Sequence, residues 1–136
     1  MISSDVAFAL NASGLAWKPT AGDRFLIHRN DFESEVFTVS DMTIEAHEYS
    51  TGTILGFNGT TEWALDSVAL EDSLWLPRED QLRELIGDRF RSLTRTDEGF
   101  RVEIDQRGEA AAFTAADPAD AYARALLALI SASALA

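Results

Sequence analysis

Eight consecutive residues, Gly56-Phe57-Asn58-Gly59-Thr60-Thr61-Glu62-Trp63, bring together two glycines, an amide, two hydroxyls, a carboxylate and two aromatic rings. Small-molecule pockets use that mixture, with rings for contact area and a few polar groups for orientation. Together with Trp75, the residues Phe57, Asn58, Thr60, Glu62 and Trp63 form a candidate binding set. Glu62 is the carboxyl group best suited on paper to acid–base work, because the neighbouring Trp63 ring would desolvate it and raise its pKa. The same residue types also build a hairpin turn with a capped segment after it, and this is the simpler account. No catalytic residue is assigned.

Other chemistry is mostly excluded. The chain has no cysteine, so disulfides, Cys-ligated zinc, iron–sulfur clusters and thiol nucleophiles are all out of reach. Its two histidines are His28 and His47. Glu45 and His47 share the parity of one strand face, and His28 could join them only from an adjacent strand, so a 2-His-1-carboxylate site is conceivable. Two histidines on a sheet are ordinarily surface residues, and no metal ligand is assigned. Asp31, Glu33 and Glu35 alternate as calcium ligands do, but the glycine turn of an EF-hand loop is missing. Lys18 is the single lysine, and no phosphate-cradling Gly-x-x-x-x-Gly-Lys, Gly-x-Gly-x-x-Gly or Gly-x-Ser-x-Gly string occurs. No cofactor is expected.

Charge is the most informative global property. The 136 residues hold 23 acids against 11 bases, a formal net charge of −12. Between Asn30 and Pro77 there is no Lys or Arg, while Asp31, Glu33, Glu35, Asp41, Glu45, Glu48, Glu62, Asp66, Glu71 and Asp72 all fall there. From Arg78 to Arg107 the two signs nearly balance. Nucleic acid and anionic membrane surfaces repel such a chain and are excluded as partners. The acidic stretch reads either as a solvated face that keeps the protein in solution or as a surface for a basic protein partner, with Asp31, Glu33, Glu35, Asp41, Glu45 and Glu48 as its first part. Met1–Leu10 has no basic leader, and the uncharged stretch Ala125–Ala136 is shorter than the ~18–20 residues that span a bilayer. A cytoplasmic protein without a membrane partner is expected.

The elements that would carry these residues read as α+β. Ser3 or Ser4 caps a first helix with Val6, Ala9 and Leu10 inward and Gly14 at its end. Runs at 24–28, 35–39, 42–49 and 53–57 read as a strand meander, the last two a hairpin across Ser50-Thr51-Gly52. Thr61 to Leu70 fits a helical stripe and an edge strand equally. Pro77 opens a second helix with Leu82, Leu85 and Ile86 inward, closed by Gly87. Phe90–Thr96 is a strand. Phe100, Val102 and Ile104 then alternate with Arg101, Glu103 and Asp105 as in a half-buried antiparallel strand, and Ala111, Phe113 and Ala115 follow the Gly108 turn. Asp117-Pro118 starts a last helix running to about Ser133. These elements predict an antiparallel sheet of about six or seven strands with packed helices and a C-terminal α-β-β-β-α part. They form a single domain, 1–136, with a seam between two halves near 76–77. The last helix is apolar nearly all round, which suits either burial within one core or a homodimer contact.

Several strings carry a resemblance: Gly22-Asp23-Arg24-Phe25, Ser40-Asp41-Met42-Thr43, Gly56 through Val68, and Leu74-Trp75-Leu76-Pro77-Arg78-Glu79-Asp80-Gln81-Leu82. From about Leu15 to Leu129 the chain resembles a family of small actinobacterial proteins, some of which bear a pilus-assembly label. That label belongs to a larger MinD-like ATPase, whose phosphate loop and catalytic lysine this chain lacks, so the resemblance implies at most an accessory factor in pilus assembly. The residues themselves favour a non-catalytic protein acting through protein–protein contact, as an accessory, a regulator or an inhibitor. The alternative is a small-molecule binding protein or enzyme using the 56–63 region.

Overall fold

The computed structural model describes residues 1–27, 36–39, 44–49, 52–57, 67–69 and 73–134. Their contacts divide the chain into two compact units, Ala16–Leu76 and the combination of Met1–Leu15 with Pro77–Ala136. The class is α+β, with three α-helices and nine strands among the described residues. Among the described residues the strands form three-stranded antiparallel sheets rather than the single sheet of six or seven expected. In order, these are β2 (Val36–Thr38), β1 (Arg24–Ile27) and β6 (Ser73–Leu76), then β3 (Ile44–Tyr49), β4 (Gly52–Phe57) and β5 (Ser67–Ala69), then β7 (Phe90–Thr96), β8 (Gly99–Gln106) and β9 (Glu109–Ala115).

In the discontinuous unit, α1 (Ser4–Ala12) starts after Ser3 and ends at Ser13, with Gly14 at φ +98° turning the chain away. Ala7 and Leu10 are its buried residues; Ala9, expected inside, is exposed. Helix α2 (Glu79–Ile86) takes Arg78 as N-cap, and the Arg78 backbone N–H donates to Gln81 Oε1 at 2.9 Å. Leu82 and Ile86 are buried, but Leu85 is 44 % exposed, which corrects its assignment to the inner face. After a 3₁₀ turn, Gly87–Arg89, the chain enters β7 (Phe90–Thr96), β8 (Gly99–Gln106) and β9 (Glu109–Ala115), and then α3 (Pro118–Ala134). Asp117 caps α3 through Oδ1, which accepts the Ala119 N–H at 2.8 Å. Helix α3 packs on β8, β9, α1 and α2. Tyr122, Ala123, Ala125, Leu126 and Leu129 are all buried there, together with Val102 and Ile104 of β8. Its own unit thus buries the helix on several sides, while Leu127, Ala128 and Ile130 remain half-buried.

The continuous unit holds β1 (Arg24–Ile27), β2 (Val36–Thr38), β3 (Ile44–Tyr49), β4 (Gly52–Phe57), β5 (Ser67–Ala69) and β6 (Ser73–Leu76). The β3–β4 pairing runs Ile44↔Phe57 to Tyr49↔Gly52, an antiparallel hairpin, and β5 adds to β4 as a strand; the rest of the 61–70 stretch, which fits helix and strand equally, lies outside the described residues. A plain meander does not describe the unit, because β1 pairs on one side with β2 and on the other with the distant β6.

Candidate functional site

Of the residues named as a binding set, Trp75 is the one whose surroundings are described. Phe57 closes β4 opposite Ile44, while Asn58, Thr60, Glu62 and Trp63 lie outside the described residues. Of the acidic set, Glu45 and Glu48 lie in β3 opposite Gly56 and Thr53, and Asp31, Glu33, Glu35 and Asp41 lie outside the described residues.

Trp75 belongs to a cluster that starts with strand register. Phe25 of β1 stands opposite Phe37 on one side and Trp75 on the other, so three aromatic residues cross the sheet in one row. Trp17, on the segment before β1, lies nearly parallel to Trp75, with centroids 6.4 Å apart and planes 8° apart, and 5.4 Å from Phe25. The Phe25 and Phe37 rings are 5.6 Å apart. Phe25 is fully buried and the other three rings are half-buried.

A turn brings a carboxylate into this group. Asp23 N–H donates to the Thr20 carbonyl at 3.1 Å, and Gly22 adopts φ +93°, the third position of a type II turn. Asp23 is 2 % exposed, and its Oδ2 accepts from Trp17 Nε1 at 3.0 Å, Thr20 N at 3.0 Å and Thr20 Oγ1 at 3.2 Å. A carboxylate with one oxygen accepting three donors holds a turn and an indole in place. Trp75 Nε1, by contrast, is buried and has no hydrogen-bond partner among the described residues. The two indoles are thus nearly parallel but chemically unlike, since one N–H is satisfied by the protein and the other remains a donor inside an aromatic wall.

Sequence reasoning missed Trp17, Thr20, Asp23, Phe25 and Phe37 as members of this site. The Trp17-x-Pro19-x-x-Gly22-Asp23 spacing does contain a turn that could return an acid beneath a Trp. Nothing local indicates that β6 comes to lie beside β1.

In the other unit an open depression of ≈ 230 Å³ is lined by Thr96, Glu98, Phe100, Thr114, Ala115 and Ala116. Among the described residues that line it, Glu98 is the single titratable side chain. Burial pushes the Tyr122 phenol above its ordinary pKa, opposed by the nearby Arg83 guanidinium. Among the described residues no three His, Cys, Asp or Glu side chains gather as metal ligands, and no helix is long and apolar enough to cross a membrane. Comparison of the chain with protein-family models, with curated proteins and with solved structures gave no match.

Proposed function

We propose that this is a non-catalytic, cytoplasmic protein that works by contact with a basic protein partner, as an accessory, regulatory or inhibitory factor. The observation that carries this reading is how charge divides between the units. Residues Ala16–Leu76 contain eleven acids against Lys18, Arg24 and Arg29, a net −8, while the remaining residues carry −4. Such concentration steers association with a basic surface and suppresses acidic competitors. An accessory role beside a larger assembly ATPase, as the family resemblance implies, is one form of the same reading. The test is affinity capture from host lysate at low and high salt, repeated with Glu-to-Gln changes between Asp31 and Asp72. A basic partner held at low salt, released at high salt and lost with the neutralised variant supports the proposal. Capture that ignores both salt and the substitutions overturns it.

One observation favours a second reading, that of small-molecule binding. The unpartnered Trp75 Nε1 could donate to an acceptor group on a planar ligand lying against the indoles. Ligand-induced quenching of Trp fluorescence that disappears in Trp75→Phe would support it.

A further inference from the structure

The hairpin that joins β8 to β9 determines which backbone groups of β9 are used. Arg107 and Gly108 have φ 56° and 84°, a two-residue turn of type I′, which makes Gln106 and Glu109 a hydrogen-bonded pair. The alternation then gives the ladder bonds to Glu109, Ala111, Phe113 and Ala115. The N–H and C=O groups of Ala110, Ala112 and Thr114 point to the other edge, which among the described residues no strand pairs with. One contact confirms the parity: Arg124 Nη1 donates to the Thr114 carbonyl at 2.6 Å, from outside the sheet. Arg124 covers this edge at Thr114, but Ala110 and Ala112 are exposed, and the strand Glu109–Ala115 carries no Pro, Lys or bulge, the usual guards of an edge. The opposite edge is guarded. A register shift at Phe90/Ser92 interrupts β7, and Arg91 Nη1 takes the Asp88 and Phe90 carbonyls.

We propose that β9 pairs with β9 of a second copy of this chain, giving a two-fold dimer with a continuous six-stranded sheet. This goes beyond the acidic-surface reading and does not depend on it. With the two-fold axis at Ala111, Ala110 of each copy meets the partner's Ala112, and the two pairs exchange four backbone hydrogen bonds. Methyl side chains at those positions let the strands approach without obstruction. Glu109 falls opposite the partner's Phe113, so no like charges face across the strands.

The helix layer supports the same axis. The Arg124–Thr114 contact marks the flank of α3 that overlooks the open edge, and helical spacing places Leu127 and Ala128 on that flank, both half-buried. A two-fold axis perpendicular to the sheet sets both α3 helices on one face. There the Leu127 and Ala128 strips of the two copies cover the joined strands, and Arg124 comes to the end where the partner's Glu109 lies. The dimer therefore uses strand and helix together.

The test is sedimentation equilibrium of the full chain across the micromolar range, on the wild type and on Ala112→Pro. The Ala112 N–H lies outside the intramolecular ladder, so proline at this edge position leaves the fold in place and removes two of the four bonds. The mass of two chains is expected for wild type, with Kd raised at least about tenfold in the folded variant. Raising salt should tighten the dimer by screening the charge of −12 on each copy, the reverse of its effect on a basic partner. Amide hydrogen exchange gives a second measurement: protection at Ala110 and Ala112 that rises with concentration. If Ala112→Pro does not fold, this measurement decides alone. A single-chain mass throughout, an unchanged Kd in the folded variant, or free exchange at Ala110 and Ala112 in the dimer would overturn the proposal.

Discussion

The β7–β9 sheet and the β2-β1-β6 sheet are each three strands wide, yet they are held together by different kinds of contact. Beneath α3 the buried side chains of β8 are aliphatic, and its polar ones lie on the opposite face in solvent-exposed pairs such as Arg91–Asp105 at 3.3 Å and Arg101–Glu103 at 3.5 Å. Such pairs contribute little, ~0–1 kcal/mol each. In the β2-β1-β6 sheet a carboxylate and an unpartnered indole N–H lie inside among aromatic rings. The first region should yield to truncation by opening cavities, the second by leaving polar groups unmet. All three tryptophans fall within Ala16–Leu76 and none in the other unit, so Trp fluorescence reports one region while far-UV circular dichroism reports both.

The largest expected effects set the two mechanisms side by side. Leu82→Ala should cost about 3 kcal/mol through a cavity at a fully buried site, seen in denaturant melts followed by circular dichroism. Asp23→Ala should cost about as much by a different route, because three donors lose their acceptor. Its loss should appear in the Trp-fluorescence transition, and Asp23→Asn, which keeps an acceptor oxygen, should recover part of it. Equal costs for the Ala and Asn variants would show that packing, not hydrogen bonding, dominates there.

A sharper contrast comes from making one substitution in both indoles. Trp17→Phe removes a donor that Asp23 uses and should destabilise by about 1–2 kcal/mol. Trp75→Phe removes a buried donor that has no partner, so the loss of ring area is offset and the net change should stay within about 1 kcal/mol. Similar losses in both variants would mean that Trp75 Nε1 is satisfied in solution.

Smaller effects belong to the α3 region. The Tyr122 pKa is raised in the folded state, so its contribution is complete below the ordinary value of about 10 and is lost as pH climbs from there through the folded value. Stability should therefore fall above pH 10, and Tyr122→Phe should flatten that fall in pH-dependent melts. Arg107 occupies a left-handed position at φ 56°, where asparagine is favoured. Arg107→Asn should raise stability by about 0.5–1 kcal/mol despite losing an exposed hydrogen bond to the Ala132 carbonyl. A drop instead would show that this contact matters more than the turn.

Local signals were legible from sequence wherever one turn or one strand carried the cause. Asp117-Pro118 announces α3, because an N-cap acceptor and a fixed φ act within the first helical turn. The alternation of Val102 and Ile104 with Arg101 and Glu103 exposes the pleat of β8 and its buried face. Even so, Ala9 and Leu85 fit an apolar stripe and proved exposed, since a stripe does not reveal how far its neighbours extend over it. What only the tertiary structure decided is which distant segments meet. The β6 strand returns to β1, Trp75 comes to lie along Trp17, and Asp23 turns inward beneath them. Strand pairing between remote segments leaves no periodic trace in either one, because the backbone groups that join them are the same in every residue.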